Sequence, residues 1–271
     1  MWYLFLFPVA ILMLATTYLW MPFQRGFFCG DESLMYPYKP DTVTESVLRI
    51  IQLAPIVIIF ICEWAYLRHE TDDQRCFGMR IPLWLQGFYC TAISFTLGVC
   101  YNELTVNIIK NRIGRARPHF LDVCKPSINC SLPEFQRRYI QTHEYTCTGD
   151  MVDPHIVINL HLSFVSGHSA IAAFSMVYLA LYLENRLVWR GTRFVRHTLQ
   201  YFALLVALFT TLSRVSDYKH HWSDVLSGFL LGSFLAIIMW TFCTDLLKKK
   251  QDPPQNNFDI TLVSHQQVAV S

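Results

Sequence analysis

The sequence predicts an all-α integral membrane protein whose six transmembrane helices form one bundle. Only 15% of its 271 residues are charged, whereas a soluble domain carries about a quarter. Hydrophobic residues make up 53% of the chain and are concentrated in long apolar stretches. Six of these stretches approach the roughly 20 helical residues that cross a bilayer core. Together these observations exclude an ordinary soluble domain.

The predicted spans differ in length and regularity. Pro55 in the second should kink its helix rather than break it, because neighbouring groups satisfy the freed backbone. The third should continue as helix towards Ile109, and the fifth is short and needs flanking residues to span. The spans are Trp2 to Met21, Val47 to Tyr66, Ile81 to Tyr101, Ala170 to Leu187, Thr198 to Leu212 and Val225 to Leu246.

The two ends of the chain differ in predicted structure: the first is apolar and the last is polar. The first stretch has no basic n-region and no clear small-x-small cleavage site, so we expect a retained helix rather than a signal peptide. The sequence leaves open whether this stretch is complete at its N-terminus. Residues 1–247 are predicted to form one membrane domain, and residues 248–271 a disordered cytosolic tail.

The distribution of Lys and Arg predicts the orientation of the chain. Six spans place both termini on one side, where two short loops and the tail hold ten Lys and Arg. The short loops on the opposite side hold two each, which favours cytosolic termini. The Asn129 sequon then falls on the luminal or extracellular side. Four cysteines fall there too, where disulfides persist, and their pairing is left open: Cys29, Cys124, Cys130 and Cys147.

The first of three polar segments that could carry chemistry contains Lys110 and Arg117. On a helix, a spacing of seven residues is close to two turns, so both side chains are expected to face the same way. Pro118 should end that helix, because the residue before a proline avoids the α region. Arg112 and Arg115 are interpreted as ordinary interfacial cations.

The second segment is Ser166-Gly167-His168, directly before the fourth span. Serine is a good N-cap, and glycine lets backbone N–H groups approach a ligand closely. A helix N-terminus also favours anions, so His168 is expected beside a bound anion.

The third segment runs from Ser213 to Asp224 and contains Arg214 and His220. His220 and Asp224 are four residues apart, so the carboxylate is expected to hold one imidazole nitrogen and leave the other free. We interpret His221 as structural, and Lys219 and Asp217 as loop residues that pair or face solvent.

The chemistry of these segments favours an anionic phosphate ester. One carboxylate faces three cations, a field that would repel a divalent metal, so we expect no metal and no other cofactor. The chain has no GxxxxGK[ST] or GxGxxG loop, which argues against a nucleotide-driven machine. A net charge of +2 is too small and scattered to suggest nucleic acid as a partner.

The three segments, in this order and spacing, resemble the signature motifs of the type 2 phosphatidic acid phosphatase superfamily. The resemblance is closer to its animal branch, the lipid phosphate phosphatases, and covers about Arg25 to Leu247. Further similar stretches are Phe27 to Asp31, Tyr36 to Lys39 and Ile113 to Phe120. Val165 stands where proline often precedes the serine, which the animal branch tolerates.

The resemblance implies an enzyme that removes phosphate from lipid monoesters at the luminal or extracellular face. His220 would be the nucleophile that forms a phosphohistidine, Asp224 would orient it, and His168 would be the general acid. The phosphate-binding residues would be Lys110, Arg117, Ser166, Gly167 and Arg214. The implied substrates are phosphatidate, lysophosphatidate, sphingosine 1-phosphate and ceramide 1-phosphate.

Three other interpretations are weaker. Vanadium haloperoxidases share the constellation but are soluble, and non-enzymatic relatives lack motif residues that are all present here. A lipid transporter would more typically show inverted repeats or paired broken helices. The sequence does not decide between the plasma membrane and endomembranes, rank the substrates, or distinguish a monomer from a homo-oligomer.

Overall fold

The computed structural model describes residues 8, 11–12, 15–16, 22–68, 75–76, 79–135, 137–150, 153–187, 191 and 193–248. The predicted first span, Trp2 to Met21, lies outside the described residues except at five positions, which are helical. The predicted tail lies outside them after residue 248.

Five long helices and two short ones account for most of the described chain. Four very short strands, each of two residues, pair as two small antiparallel sheets. The helices are α1 (Glu45–Leu67), α2 (Leu83–Ile113), α3 (Phe120–Cys124), α4 (Pro154–Leu160), α5 (Gly167–Arg186), α6 (Arg193–Ser216) and α7 (Trp222–Lys248). The strands are β1 (Phe27–Phe28), β2 (Arg75–Cys76), β3 (Met79–Arg80) and β4 (Tyr139–Ile140), and a 3-10 turn covers Glu32–Leu34.

Local sequence explains where α1 begins and where α2 ends. The Thr44 side chain caps α1 by accepting a hydrogen bond from the Val47 N–H, and α1 continues through Pro55 as predicted. α2 continues past Ile109 as predicted and ends at Ile113, because Gly114 adopts the left-handed conformation with φ of 57°. A Cβ at Gly114 would collide with the Phe23 carbonyl, so glycine is required there.

Helix α5 is the centre of the bundle and packs against the four other long helices. Its Phe174 and Tyr178 rings are fully buried and lie 5.6 Å and 5.2 Å from the Phe95 ring of α2. Its closest neighbour is α7, where Gly228 and Gly232 lie against the backbone of the first turns of α5. Small residues allow this close approach, which brings the start of α7 beside the start of α5.

The outer surfaces of the bundle are apolar. Large side chains such as Ile50 on α1 and Phe209 on α6 are exposed by 68% and 61%, which suits contact with lipid tails. Four described helices are long and apolar enough to cross a membrane: Glu45–Leu67, Leu83–Ile113, Arg193–Ser216 and Trp222–Phe242. The first and third of these helices contain the predicted second and fifth spans, and the other two overlap the predicted third and sixth spans. The enclosed helix α5 is not among the four, so a span over Ala170 to Leu187 and the total of six stay predictions.

A layer of loops, held by two disulfides, covers the ends of the bundle that carry the three motifs. Cys29 pairs with Cys130 and Cys124 pairs with Cys147, so the structure assigns the pairing that the sequence leaves open. Strands β1 and β4 join in the same layer, with Phe27 opposite Ile140. The Cys29–Cys130 disulfide anchors the segment after α2 to the chain that precedes α1, and the Cys124–Cys147 disulfide closes a loop within the segment after α2. Cys62 and Cys100, which lie in apolar segments, are free thiols.

Candidate active site

The three motifs converge where α2, α5, α6 and α7 meet the loop layer. Lys110 lies in the last turn of α2, Ser166 to His168 begin α5, Arg214 lies in the last turn of α6, and His220 and Asp224 flank the start of α7. The charges of Lys110, Arg117 and Arg214 all act on both His168 and His220. The side chains predicted to act together therefore form one cluster.

The prediction that Lys110 and Arg117 share a helix face is wrong. Helix α2 ends at Ile113, and Arg117 lies in the following non-helical segment, where its N–H donates to the Leu160 carbonyl at 2.9 Å. The left-handed Gly114 reverses the chain, and this turn brings Arg117 back towards Lys110 without a continuous helix. Burial and the neighbouring Arg214 charge lower the pKa of Arg117 to about 10, so it remains protonated at neutral pH.

Ser166 occupies the predicted N-cap position of α5, but its side chain makes no cap hydrogen bond. Its hydroxyl instead accepts a hydrogen bond from Ser169 Oγ at 3.1 Å, which leaves its own O–H free to donate. A Cβ at Gly167 would lie 3.4 Å from Lys110 Nζ, so the ammonium sits against the first turn of α5. The first turn of this helix and a cation thus face the same small space, as an anion site requires.

His168 lies beside this space. Its Nε2 atom is buried without a hydrogen-bond partner in the part of the chain that the structure describes. The Glu45 carboxylate is 3.9 Å from that nitrogen, at the start of α1. An unpaired imidazole nitrogen next to a cluster of cations can exchange a proton with an anionic ligand.

His220 is only 3% exposed and lies in the turn before α7. Its Nδ1 is 2.7 Å from the Ser163 carbonyl, which can only accept, so Nδ1 carries the proton and Nε2 a lone pair. Burial, followed by the charges of Arg117 and Lys110, lowers the pKa of His220 well below its ordinary value. The imidazole is therefore neutral at physiological pH, as a nucleophile requires.

The prediction that Asp224 directly holds the His220 imidazole is wrong. The i, i+4 rule applies within a helix, whereas α7 begins at Trp222, after His220. Asp224 is fully buried, and its carboxylate accepts from Ser163 Oγ at 2.6 Å and from the His221 N–H at 3.1 Å. Because Ser163 contacts both His220 and Asp224, the carboxylate reaches the imidazole through this serine.

Ser163 and Arg115 are site residues that the sequence does not predict. Arg115 was interpreted as an interfacial cation, yet its NH1 donates to Asp224 Oδ1 at 2.6 Å and to Ser223 Oγ at 2.8 Å. Arg115 thus balances the charge of a carboxylate that would be costly to bury alone. No spacing rule points to it or to Ser163, since both act through contacts between segments distant in sequence.

Arg214 is 2% exposed and makes an ion pair with Asp41, whose Oδ1 lies 2.9 Å from NH1. Asp41 precedes α1 and was not predicted in the site. The Nε atoms of Arg214 and Arg117 are both buried without a partner in the described chain. Buried N–H groups left unpaired cost about 1–3 kcal/mol each, so an anion that accepts from them gains that energy.

The remaining residues of the third motif have supporting contacts. His221 Nε2 lies 3.1 Å from the Ala116 carbonyl, which ties the start of α7 to the segment carrying Arg117. Asp217 accepts two hydrogen bonds from Thr42, and Lys219 lies 3.8 Å from the centre of the Tyr38 ring. These contacts agree with the structural and pairing roles predicted for the three residues.

The donor set of the cluster suits an oxyanion. Within the residues that the structure describes, no three His, Cys, Asp or Glu side chains are grouped closely enough to hold a metal ion. The three motifs supply cations, a hydroxyl and the first turn of a helix, which suit phosphate oxygens, together with two imidazoles.

Comparison with known proteins adds independent information. Residues 91–248 match the model of the PAP2 superfamily. A Drosophila melanogaster protein, named as a candidate phosphatidate phosphatase, is 39% identical over 262 residues, which cover 92% of this chain and 68% of its own length. Human phospholipid phosphatase 2 is 38% identical over 252 residues, which cover 92% of this chain and 81% of its own length. A Bacillus subtilis transmembrane PAP2-type phosphatidylglycerolphosphate phosphatase structure aligns with a TM-score of 0.42 at 21% identity, covering 74% of this chain and 77% of that chain.

Proposed function

Since this chain belongs to the PAP2 superfamily, as an animal lipid phosphate phosphatase, we propose that it hydrolyses lipid phosphate monoesters through a phosphohistidine on His220. The protein is a multi-pass membrane enzyme of the phosphoric monoester hydrolase class. The observation that carries the proposed mechanism is the buried, neutral His220, with Nδ1 held by Ser163 and the cations of the other motifs around it.

The first chemical step transfers the phosphoryl group to His220. The Nε2 lone pair attacks phosphorus while the bond from phosphorus to the lipid oxygen breaks. Nδ1 keeps its proton, so the phosphorylated ring is cationic. The nearby Asp224 carboxylate offsets this positive charge. Ser163 links the two groups, because its Oγ donates to Asp224 and its carbonyl accepts from His220 Nδ1.

The phosphoryl oxygens are held by groups from all three motifs. Lys110, Arg117 and Arg214 supply positive charge, and the Ser166 hydroxyl and Gly167 N–H supply hydrogen bonds. The Ser166 and Gly167 donors are held close to the start of α7 before the substrate binds, because α5 and α7 pack closely through Gly228 and Gly232. Their interaction grows as negative charge builds on the oxygens in the transition state.

His168 moves the protons in both steps. It protonates the departing lipid alkoxide, then accepts a proton from the water that attacks phosphorus and breaks the bond to His220. Phosphate leaves, and His220 recovers its lone pair. The negative charge of the bound phosphate favours protonated His168, against burial and the surrounding cations, which disfavour it.

The proposed substrates are phosphatidate, lysophosphatidate, sphingosine 1-phosphate and ceramide 1-phosphate. Their single phosphate suits the cluster, and their chains suit the exposed apolar faces of the bundle. The site is proposed to face the lumen or exterior, with both termini cytosolic, in the plasma membrane or an endomembrane. The two disulfides in the loop layer and the exposed Asn129 sequon, a proposed glycosylation site, support this orientation.

Phosphate release from a short-chain phosphatidate in detergent tests the proposal. The purified protein should release phosphate in the presence of EDTA, because cations of the chain replace a metal at the phosphate. His220→Ala should abolish release, whereas the control His197→Ala, at an exposed position of α6, should retain it. Release that disappears on chelation, or an active His220→Ala variant, would refute the mechanism.

A further inference from the structure

The segment before α1 carries a carboxylate that the motifs do not include. We propose that Asp41 is a positioning residue of the active site, which orients the Arg214 guanidinium so that its free N–H groups face the phosphate. The inference rests on the proposed function and extends it to a residue outside the three motifs. Asp41 acts through Arg214 and does not itself contact the phosphate.

The geometry at Arg214 supports this role. Its side chain is almost fully buried, and NH1 is occupied by Asp41 Oδ1 at 2.9 Å and by the Val43 carbonyl at 3.5 Å. The planar guanidinium cannot turn without breaking the ion pair, so fixing NH1 also fixes Nε. That Nε is buried and has no partner within the described chain. The protein therefore holds the guanidinium through NH1, while Nε is left to donate to a ligand.

The charge balance points the same way. Lys110, Arg117 and Arg214 carry like charges that repel one another, and a buried cation without a counterion is costly. Burial would raise the pKa of Asp41, but the charges of Arg214 and Lys219 outweigh it and hold the pKa below its ordinary value. Asp41 thus remains ionised and offsets the repulsion before the substrate arrives.

Asp41 is itself held by contacts with the loop that carries His220. The adjacent Thr42 donates through its N–H and its Oγ1 to the two oxygens of Asp217, at 2.8 Å and 2.7 Å. The Tyr36 ring stacks on Tyr218 with centres 4.5 Å apart, and Lys39 Nζ lies 4.4 Å from the same ring. Residues 36–42 and 216–219 therefore interlock, and Asp41 is fixed relative to Arg214.

The test compares Asp41→Asn with Asp150→Asn, an exposed carboxylate paired only with Lys125 in the described contacts. Wild-type protein must first release phosphate from short-chain phosphatidate, and its failure would refute the proposed function rather than this inference. A misplacement of a substrate-binding group by about 1 Å can lower the rate about 100-fold. Asp41→Asn should therefore lower kcat/KM about 10- to 100-fold. Inhibition by orthovanadate, a phosphate analogue, should weaken in parallel, while Asp150→Asn matches wild type.

A double-mutant cycle separates positioning from a general structural effect. Lysine lacks the planar fork, so in an Arg214→Lys background Asp41→Asn should change kcat/KM less than about threefold. Additive losses would overturn the inference, as would an Asp41→Asn variant that equals the Asp150→Asn control or binds orthovanadate more tightly. If Asp41→Asn does not fold, Thr42→Val removes one Asp217 bond and should weaken orthovanadate inhibition about threefold; unchanged inhibition there overturns the inference.

Discussion

Replacing Ser163 with alanine should slow phosphate release about 10- to 100-fold. The substitution removes only the bond from Ser163 Oγ to Asp224 Oδ2, which is 2.6 Å long and fully buried. The backbone carbonyl that holds His220 Nδ1 remains. A hydrogen bond to a charged group contributes about 1.5–3 kcal/mol, and each 1.36 kcal/mol of barrier is about tenfold in rate.

The control for this variant is Ser175→Ala in α5. Ser175 is also fully buried, but its hydroxyl has no hydrogen-bond partner in the described chain, so its removal should leave the rate unchanged. Both variants are purified in detergent and compared by release of phosphate from short-chain phosphatidate. A Ser163→Ala rate equal to that of Ser175→Ala would refute the route from Asp224 to His220 through Ser163.

Three further predictions test the charges and the loop layer. Arg115→Gln should lower kcat at least about tenfold, since it removes the charge partner of the buried carboxylate, while Lys125→Gln keeps full activity. Arg117→Gln should move the acid limb of the kcat/KM profile to higher pH, because losing a positive charge raises the pKa of His220; an unmoved limb contradicts this. Cys124→Ser opens a disulfide of sequence separation 23 and should destabilise the protein by about 3 kcal/mol, measured by thermal denaturation; an unchanged Tm contradicts this.

The helices could be predicted because their signal is local. Runs of apolar residues and helix-ending residues determine where α1, α2, α6 and α7 lie, and each of the four described membrane-spanning candidates contains or overlaps a predicted span. Even so, the predicted end of the third helix is wrong: Pro118 is predicted to end it, whereas the helix ends at Ile113, before Gly114. The left-handed conformation of Gly114 reflects its packing against Phe23, which the sequence does not reveal.

The motif residues of the site could be predicted from the sequence, but the contacts between them could not. Spacing identified His220 and Asp224, yet their relation changes because α7 begins between them, at Trp222. Ser163 and Arg115 both bond to Asp224, although they lie 61 and 109 residues away from it in the sequence. Such partners depend on how helices and loops pack, and no local pattern encodes them.

The most direct measurement of the proposed chemistry is to trap the phosphorylated enzyme. Wild-type protein and the His220→Ala control are mixed with a phosphate-labelled short-chain phosphatidate and quenched within one turnover. We predict acid-labile, base-stable phosphate on the peptide that contains His220, and none on that peptide in His220→Ala. Label on a different residue, or active protein that never carries label, would contradict the account.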